Sequence, residues 1–209
     1  MSKLNPQNKR EKRSIGQTKE IKKSFIVYCE GQTESEYFKY FKIYKRITNL
    51  DIKIINLKKN GNALTLTKEA IRRKNNDKDN FDEFWIVIDK DETTHLDFEK
   101  AIELCNDNKI LIAYSIQCFE VWILFHFQYL ETKCDRNILE KKINDNLKKL
   151  KYGKSKKDLE KIFEEIFPKL EIAIQNAKKN HNKFEKTRTK ISERESSSVV
   201  FQFIETILK

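Results

Sequence analysis

Acidic side chains follow two apolar segments of the sequence, at the point where each segment ends. Glu30 comes directly after the apolar run 24–29, and Asp89 and Asp91 come directly after the run 83–88. Carboxylates are preferred ligands of hard divalent cations such as Mg²⁺, which usually keep several waters and bind substrate phosphates. Held together around such an ion, these three acids would support metal-assisted cleavage of a phosphodiester, with one acid assisting proton transfer.

A structural role is the alternative for each of these acids. Asp and Glu are frequent where a strand leads into a helix, because they cap the helix and favour its N-terminus. An isolated D-x-D pair is therefore weak evidence of a metal site. Glu30-Gly31 after one strand, together with Asp89-Lys90-Asp91 after another, is considerably stronger evidence.

The elements that must position these acids alternate along the first part of the chain. The predicted strands are 24–29, 51–57, 83–88 and 109–114, and the predicted helices are 33–46, 63–74 and 96–106. This alternation predicts βαβ crossovers and an α/β fold with a mainly parallel sheet of about four strands. Ligands of such sheets gather at the carboxyl ends of the strands. Because Asp89 and Asp91 are two residues apart, an extended backbone would project both to the same side.

The start of the first helix has a sequence signature of its own. Thr33 followed by Glu36 three residues later is typical of a capping box. We therefore expect Thr33 to be the N-cap of this helix.

Five further residues are candidates for the site. Glu120 follows the fourth predicted strand, where it would bind metal or orient a water, or else cap the next helix. Glu34 in the first loop and Glu92 after the D-x-D pair are candidate metal-contacting or outer acids. His95 is a candidate phosphate contact. His126 is a candidate catalytic group, although a single His on an apolar helix is more often a core residue.

The positive charge of the chain is unevenly distributed. The formal net charge is +11, with net +6 in 1–23, −3 in 24–140 and +9 in 141–190. Helices are predicted at 136–150, 155–180 with an interruption at Pro168, and 197–208. We divide the chain into a basic mobile arm, an α/β core and a basic helical region packing on that core, at 1–23, 24–135 and 136–209.

The basic helical region contains the candidate nucleic-acid-binding residues. Clustered cations bind polyanions by releasing counterions, and an interleaved aromatic such as Tyr152 can stack on bases. A solvated lysine-rich surface is the alternative. The candidate residues are Lys148, Lys149, Lys151, Lys154, Lys156 and Lys157.

Several classes of protein are excluded by what the sequence does not contain. It has no apolar run of 18 residues and no apolar stretch behind its N-terminus, so we expect no membrane association and a cytoplasmic location. The 4 cysteines form no C-x-x-C pair, which argues against a zinc ribbon or a redox motif. No G-x-x-x-x-G-K-[ST] motif occurs, so this chain does not hydrolyse ATP through a P-loop.

Two segments resemble the signature motifs of Toprim domains, namely I-V-Y-C-E-G at 26–31 and I-V-I-D-K-D at 86–91. More narrowly, the chain is similar to RloB-like proteins over about 24–209. That resemblance rests on C-E-G-Q-T-E-S-E-Y-F at 29–38, W-I-V-I-D-K-D-E at 85–92, C-F-E-V-W-I-L-F-H-F at 118–127 and E-S-S-S-V-V-F-Q-F-I at 195–204. The last segment lacks the usual Asn-Pro opening, and S-I-Q-C at 115–118 stands where Ser-Asn-Pro-Cys is expected.

The resemblance implies a nuclease that uses Mg²⁺, with Mn²⁺ as a substitute, in prokaryotic antiphage defence linked to abortive infection or restriction. It also implies an AAA or ABC-type ATPase partner encoded nearby. By motif position, Glu30 would be the first-motif acid, acting as a metal ligand or in proton transfer, and Asp89 and Asp91 would be the second-motif ligands.

The alternative function is a catalytically inactive nucleic-acid-binding or regulatory subunit of an ATPase-containing defence complex. The sequence does not choose between DNA and RNA, including tRNA, and it leaves a homo-oligomer open. Topoisomerase and primase activities are disfavoured, because 209 residues leave no room for strand-passage domains or the accessory modules of a primase. A phosphoacceptor receiver domain is disfavoured because strand one is followed by Glu30 alone rather than by an acidic pair.

Overall fold

The structure is a computed structural model that describes residues 23–54, 61–76, 81–147, 150–152 and 155–209. The predicted basic arm lies outside the described residues except for Lys23, as do residues 55–57 of the second predicted strand. In chain order the elements are β1 (Phe25–Cys29), α1 (Gln32–Tyr44), β2 (Leu50–Ile54), α2 (Ala63–Asn76), β3 (Glu83–Asp89), α3 (His95–Asp107), β4 (Leu111–Ile116), α4 (Glu120–Phe125), α5 (Arg136–Leu147), α6 (Lys156–Ile166), α7 (Leu170–Lys186), β5 (Ser197–Ser198) and α8 (Val200–Ile207). Short 3₁₀ turns occupy Phe167–Lys169 and Ile191–Glu193.

The sheet has the strand order β2-β1-β3-β4-β5. The first four strands are parallel and β5 is antiparallel to β4, which confirms the predicted mainly parallel α/β fold. β1 and β3 are neighbours, with Cys29 paired with Val87. The carboxyl ends of these two strands therefore meet at one edge, because helical crossovers return the chain to the opposite edge before each new strand.

The central strands are apolar because both faces of the sheet are covered. All five residues of β1 are buried, and Ile26 and Val27 are 0% exposed. Each such side chain contributes about 1.5–3 kcal/mol when it leaves water. This burial stabilises the strands whose ends carry Glu30 and Asp89.

The C-terminal helices are joined to the sheet by a cluster of aromatic rings. The Tyr37 ring on α1 lies 5.4 Å from that of Phe119 and 5.3 Å from that of Phe163 on α6. On α8, the Phe203 ring packs 4.8 Å from Trp85 of β3. α5 buries Leu139, Ile143 and Leu147, which share one helical face. α5 packs against α4, and its first residue, Arg136, lies at the carboxyl edge of the sheet.

Three local expectations differ from the structure. The capping box of Thr33 and Glu36 is wrong, since α1 begins at Gln32 with Gly31 as N-cap and without a side-chain cap bond. β4 begins two residues later than expected, after Lys109 adopts a left-handed φ of 54°. The segment 197–208 is not helical throughout, because Ser197–Ser198 pairs with β4 before α8 begins.

β5 follows residue 135, in the predicted helical region, and yet it pairs with β4 of the predicted core. The division of the chain into a core and a helical region after residue 135 stays a prediction. Of the helices described here, none has the length and apolar character needed to cross a membrane.

Candidate metal centre

Five acidic side chains line one cavity at the carboxyl edge of the sheet. Its volume is about 260 Å³, and its lining residues are Glu30, Gly31, Gln32, Thr33, Glu34, Asp89, Asp91, Glu120 and Arg136. Glu30 follows β1 and Asp89 ends β3, so neighbouring parallel strands deliver these two carboxylates directly. The structure thus brings together the predicted acids that follow strands one, three and four, and it adds Glu34, which was also a candidate.

Asp89 is partly exposed to solvent as a residue, but its carboxylate is buried. Its Oδ2 accepts a hydrogen bond from the Phe119 N–H at 3.0 Å. Its Oδ1 is buried and has no hydrogen-bond partner among the described residues. Burial, and then the charges of Glu34 and Glu120, raise the pKa of Asp89 well above its ordinary range. The free oxygen is what an oxygen-binding cation would use.

Asp91 reaches the cavity through a turn rather than through an extended strand. β3 ends at Asp89, and Asp91 has a left-handed φ of 37°. Its N–H donates to the Gln117 carbonyl at 2.8 Å, which holds the turn against the end of β4. The expectation that an extended backbone aligns the two Asp residues is therefore wrong, although both line the cavity.

The Asp91 carboxylate is bound by an arginine from the helical region. Arg136 Nη2 donates to Oδ1 at 2.7 Å and to Oδ2 at 2.6 Å. The two side chains are 39% and 40% exposed, so solvent weakens this ion pair. Asp91 therefore has Arg136 as a cationic partner.

Glu34 lies in the first turn of α1 and is buried. Its Oε2 has no hydrogen-bond partner in the described part of the chain. Burial, followed by the charges of Glu120 and Glu30, raises the pKa of Glu34 to about 7. The pKa of Glu30 is also raised, first by burial and then by Asp91. A Cβ at Gly31 would lie 2.5 Å from Glu34 Oε2, so the glycine makes room for this carboxylate.

Glu120 is buried at the start of α4 and accepts a hydrogen bond from the Tyr152 hydroxyl at 2.8 Å. Burial, and then the Glu120 charge, raise the pKa of Tyr152 well above its ordinary value, so the phenol stays a donor. Tyr152 is 7% exposed. The prediction that Tyr152 stacks on bases is therefore wrong, because its ring is packed inside the protein.

The donor types of the cavity fit a hard divalent cation. All five acids offer oxygen, and two buried oxygens, on Glu34 and Asp89, lack partners. Within residues 23–54, 61–76, 81–147, 150–152 and 155–209, however, no three His, Cys, Asp or Glu side chains have the spacing of a formed metal site. Asp91 faces Arg136 instead. The residues therefore fit such a cation by the chemistry of their oxygen donors and by their shared cavity.

Three other predicted residues do not line this cavity. Glu92 is exposed. His95 is exposed at the start of α3, where it borders a separate cavity of about 180 Å³ with Lys90 and Lys133. His126 is fully buried, with Nδ1 3.1 Å from the Trp122 carbonyl oxygen, and burial lowers its pKa to about 4. The structure thus places His126 in the aromatic core.

The predicted nucleic-acid-binding lysines are only partly described. Lys151 and Lys157 are exposed, as a phosphate-binding surface requires. Lys156 begins α6. Lys148, Lys149 and Lys154 lie outside the described residues.

Sequence reasoning missed Arg136 and the role of Tyr152. Their partners are 45 and 32 residues away along the chain, so no local pattern marks either contact. The available signal was weak: Arg136 opens a predicted helix next to an acidic site that needs a counter-charge.

The fold and the cavity define a Toprim-like α/β protein with carboxylates at the carboxyl edge of a mainly parallel sheet. The family model described as RloB-like protein matches residues 25–207. The chain therefore belongs to the RloB-like protein family, and the resemblance found in its motifs is confirmed. Searches among curated proteins and among solved structures found no match.

Proposed function

We propose that this RloB-like protein is a metal-dependent endonuclease that hydrolyses phosphodiester bonds of DNA or RNA, including tRNA, with Mg²⁺ or Mn²⁺. The observation that carries this proposal is the set of five carboxylates around one cavity, two of which have buried oxygens without partners. Holding like charges together in a buried place is costly, and a bound cation removes that cost.

The residues that would hold the cation are Glu30, Glu34 and Asp89, with Asp91 available when it leaves Arg136. A bound divalent cation supplies positive charge that stabilises the charge developing on a phosphodiester. Because a cation binds the ionised carboxylate, Glu34, with a pKa of about 7, would bind the cation in its deprotonated form. Glu120 is fixed in orientation by Tyr152, so it suits the positioning of a water.

The cavity and its surroundings suit a phosphate group of a polyanion. The volume of the cavity, about 260 Å³, is smaller than the roughly 300–1,000 Å³ typical of sites for drug-sized ligands, so a group as small as a phosphate suits it better. Residues 141–190 carry net +9, and Lys151 and Lys157 are exposed. Lysines beside an acidic site can bind the nucleic-acid backbone, while a metal ion held by the carboxylates would contact one phosphate.

We propose further that the protein acts in the prokaryotic cytoplasm in antiviral defence, together with an AAA or ABC-type ATPase. The support is the resemblance of its motifs to RloB-like and Toprim proteins of abortive-infection and restriction-linked systems. The sequence contains no P-loop of its own, so a separate ATPase would supply nucleotide hydrolysis.

The test is cleavage of labelled DNA and tRNA by the full chain, with and without the neighbouring ATPase, in Mg²⁺, Mn²⁺ or EDTA. Glu30→Gln and Asp89→Asn should each lower the cleavage rate by about 100-fold or more, because each removes a charged ligand. Glu103→Gln is the matched control, since it neutralises an exposed acid of α3 that does not line the cavity. Cleavage that persists in Asp89→Asn would refute the site.

The second candidate function is an inactive nucleic-acid-binding or regulatory subunit. It is favoured by one observation, that Arg136 and Tyr152 already bind two of the acids while no three donors have metal-site spacing in the described residues. Mn²⁺ calorimetry separates the two functions. An active site should bind Mn²⁺ and lose that affinity in Asp89→Asn. A protein that binds nucleic acid in a salt-dependent way without binding Mn²⁺ would support the second function.

A further inference from the structure

Arg136 occupies a special position in the acidic cavity. It is the first residue of α5, and it is the only cationic side chain among the described residues that line this cavity. α5 is anchored by Leu139, Ile143 and Leu147, which are buried on one face of the helix. The guanidinium is therefore held at the cavity by the packing of the whole helix.

Only part of the hydrogen-bonding capacity of Arg136 is used. A guanidinium has five N–H groups, and Arg136 directs only Nη2 to the two oxygens of Asp91. Among the described residues, nothing accepts a hydrogen bond from its Nε or Nη1. The side chain is 39% exposed, so these donors are accessible from solvent.

A phosphate approaching this cavity meets strong repulsion unless a cation receives it. Glu30, Glu34, Asp89, Asp91 and Glu120 all line the same space. The planar fork of an arginine matches the oxygens of a phosphate and binds them with two parallel hydrogen bonds. Arg136 is the residue of the described cavity wall that offers this geometry.

We infer that Arg136 is a substrate-binding residue that receives a phosphate of the nucleic acid in exchange for its ion-pair partner Asp91. This inference rests on the proposed function, since it names the residue that contacts the substrate at the same site. The Arg136–Asp91 ion pair neutralises the charge of Asp91. Arg136 would compete with a metal ion for Asp91, and a guanidinium released from Asp91 would be free to bind the phosphate.

The first measurement is Mn²⁺ calorimetry on the wild-type chain, Arg136→Gln and Lys141→Gln. Lys141 lies exposed on the same helix and does not line the cavity, so it matches the charge change without the contact. Arg136→Gln should bind Mn²⁺ about two- to fivefold more tightly, the range expected for freeing Asp91 from a partly exposed ion pair. Lys141→Gln should bind Mn²⁺ like the wild type.

The second measurement is the fluorescence anisotropy of labelled 20-nucleotide DNA and RNA strands in Ca²⁺ at several salt concentrations. Arg136→Gln should bind about tenfold more weakly, as expected for one lost charge-assisted contact, with a salt slope smaller by about one. Arg136→Lys keeps the positive charge but lacks the planar guanidinium, so its affinity should lie between those of the wild type and Arg136→Gln. If Arg136→Gln does not fold, the affinity of Arg136→Lys relative to that of the wild type tests the role of Arg136 instead.

The possible outcomes separate this inference from the proposed function. Suppose that the wild-type protein cleaves and that Arg136→Gln or Arg136→Lys binds both strands as tightly as Lys141→Gln does. This result would overturn the role of Arg136 and leave the proposed nuclease activity intact. Binding that depends on Arg136 in a protein that never cleaves in Mg²⁺ or Mn²⁺ would support the role of Arg136 and refute the nuclease. Weaker Mn²⁺ binding in Arg136→Gln would overturn the competition for Asp91.

Discussion

Neutralising Glu34 should stabilise the metal-free protein. The Glu34 carboxyl is buried, its Oε2 has no partner in the described structure, and burial followed by the charges of Glu120 and Glu30 raises its pKa from 4.5 to about 7. At about 1.4 kcal/mol for each pKa unit, the ionised carboxylate costs about 3 kcal/mol of folding free energy. Glu34→Gln keeps the shape of the side chain and removes the charge.

The sign of the pH dependence follows from the direction of the pKa change. The folded protein binds the Glu34 proton more tightly than the unfolded chain does between pH 4.5 and about 7. This contribution to stability is fully present below pH 4.5 and is lost as the pH rises through about 7. Glu34→Gln should therefore match the wild type near pH 4.5 and exceed it by up to about 3 kcal/mol near pH 8.

The assay is urea denaturation in EDTA, followed by tryptophan fluorescence because Trp85 and Trp122 are buried. Glu36→Gln is the matched control. Glu36 is also a buried residue of α1, but Lys39 contacts it at 2.8 Å, so its neutralisation removes an ion pair and should not stabilise the protein. A Glu34→Gln protein that is no more stable than the wild type near pH 8 would refute the reasoning.

Metal ions should narrow the difference in stability between Glu34→Gln and the wild type. Mn²⁺ at about 100 times its Kd should stabilise the wild-type protein by about 2.7 kcal/mol, because it binds the folded state alone. Glu34→Gln has lost a charged donor and should gain less from the same Mn²⁺ concentration. Equal gains in both proteins would show that Glu34 does not contact the ion.

Three further predictions concern the residues around the site. His126 has a pKa of about 4, below its ordinary 6.5, so in urea denaturation the free energy of unfolding of the wild type should fall by about 3 kcal/mol relative to that of His126→Gln as the pH drops from about 7 to 4. Tyr152→Phe leaves buried Glu120 without its donor and should cost about 1–3 kcal/mol by the same method, whereas a neutral result would contradict the contact. Gly31→Ala should displace the Glu34 carboxylate and weaken Mn²⁺ binding in calorimetry, with little change in the thermal unfolding midpoint.

The mainly parallel α/β class of the sheet was predictable from the sequence for a simple reason. Buried parallel strands require continuous apolar runs such as 24–29 and 83–88, and helical segments between them impose parallel crossovers. The positions where these runs end then locate Glu30 and Asp89 at one edge. Local features were less predictable: the N-cap of α1 is Gly31 rather than Thr33, and β5 is a pair of serines without a strand-like pattern.

What the sequence alone determined is the order of the elements and the acids that follow them, because local apolar patterns encode local burial. Only the tertiary structure decided how those acids are partnered. Asp91 binds Arg136 from 45 residues away, and Glu120 accepts a hydrogen bond from Tyr152, 32 residues away. These contacts depend on how the C-terminal helices pack against the sheet, and the free energy of that packing comes from many side chains at once.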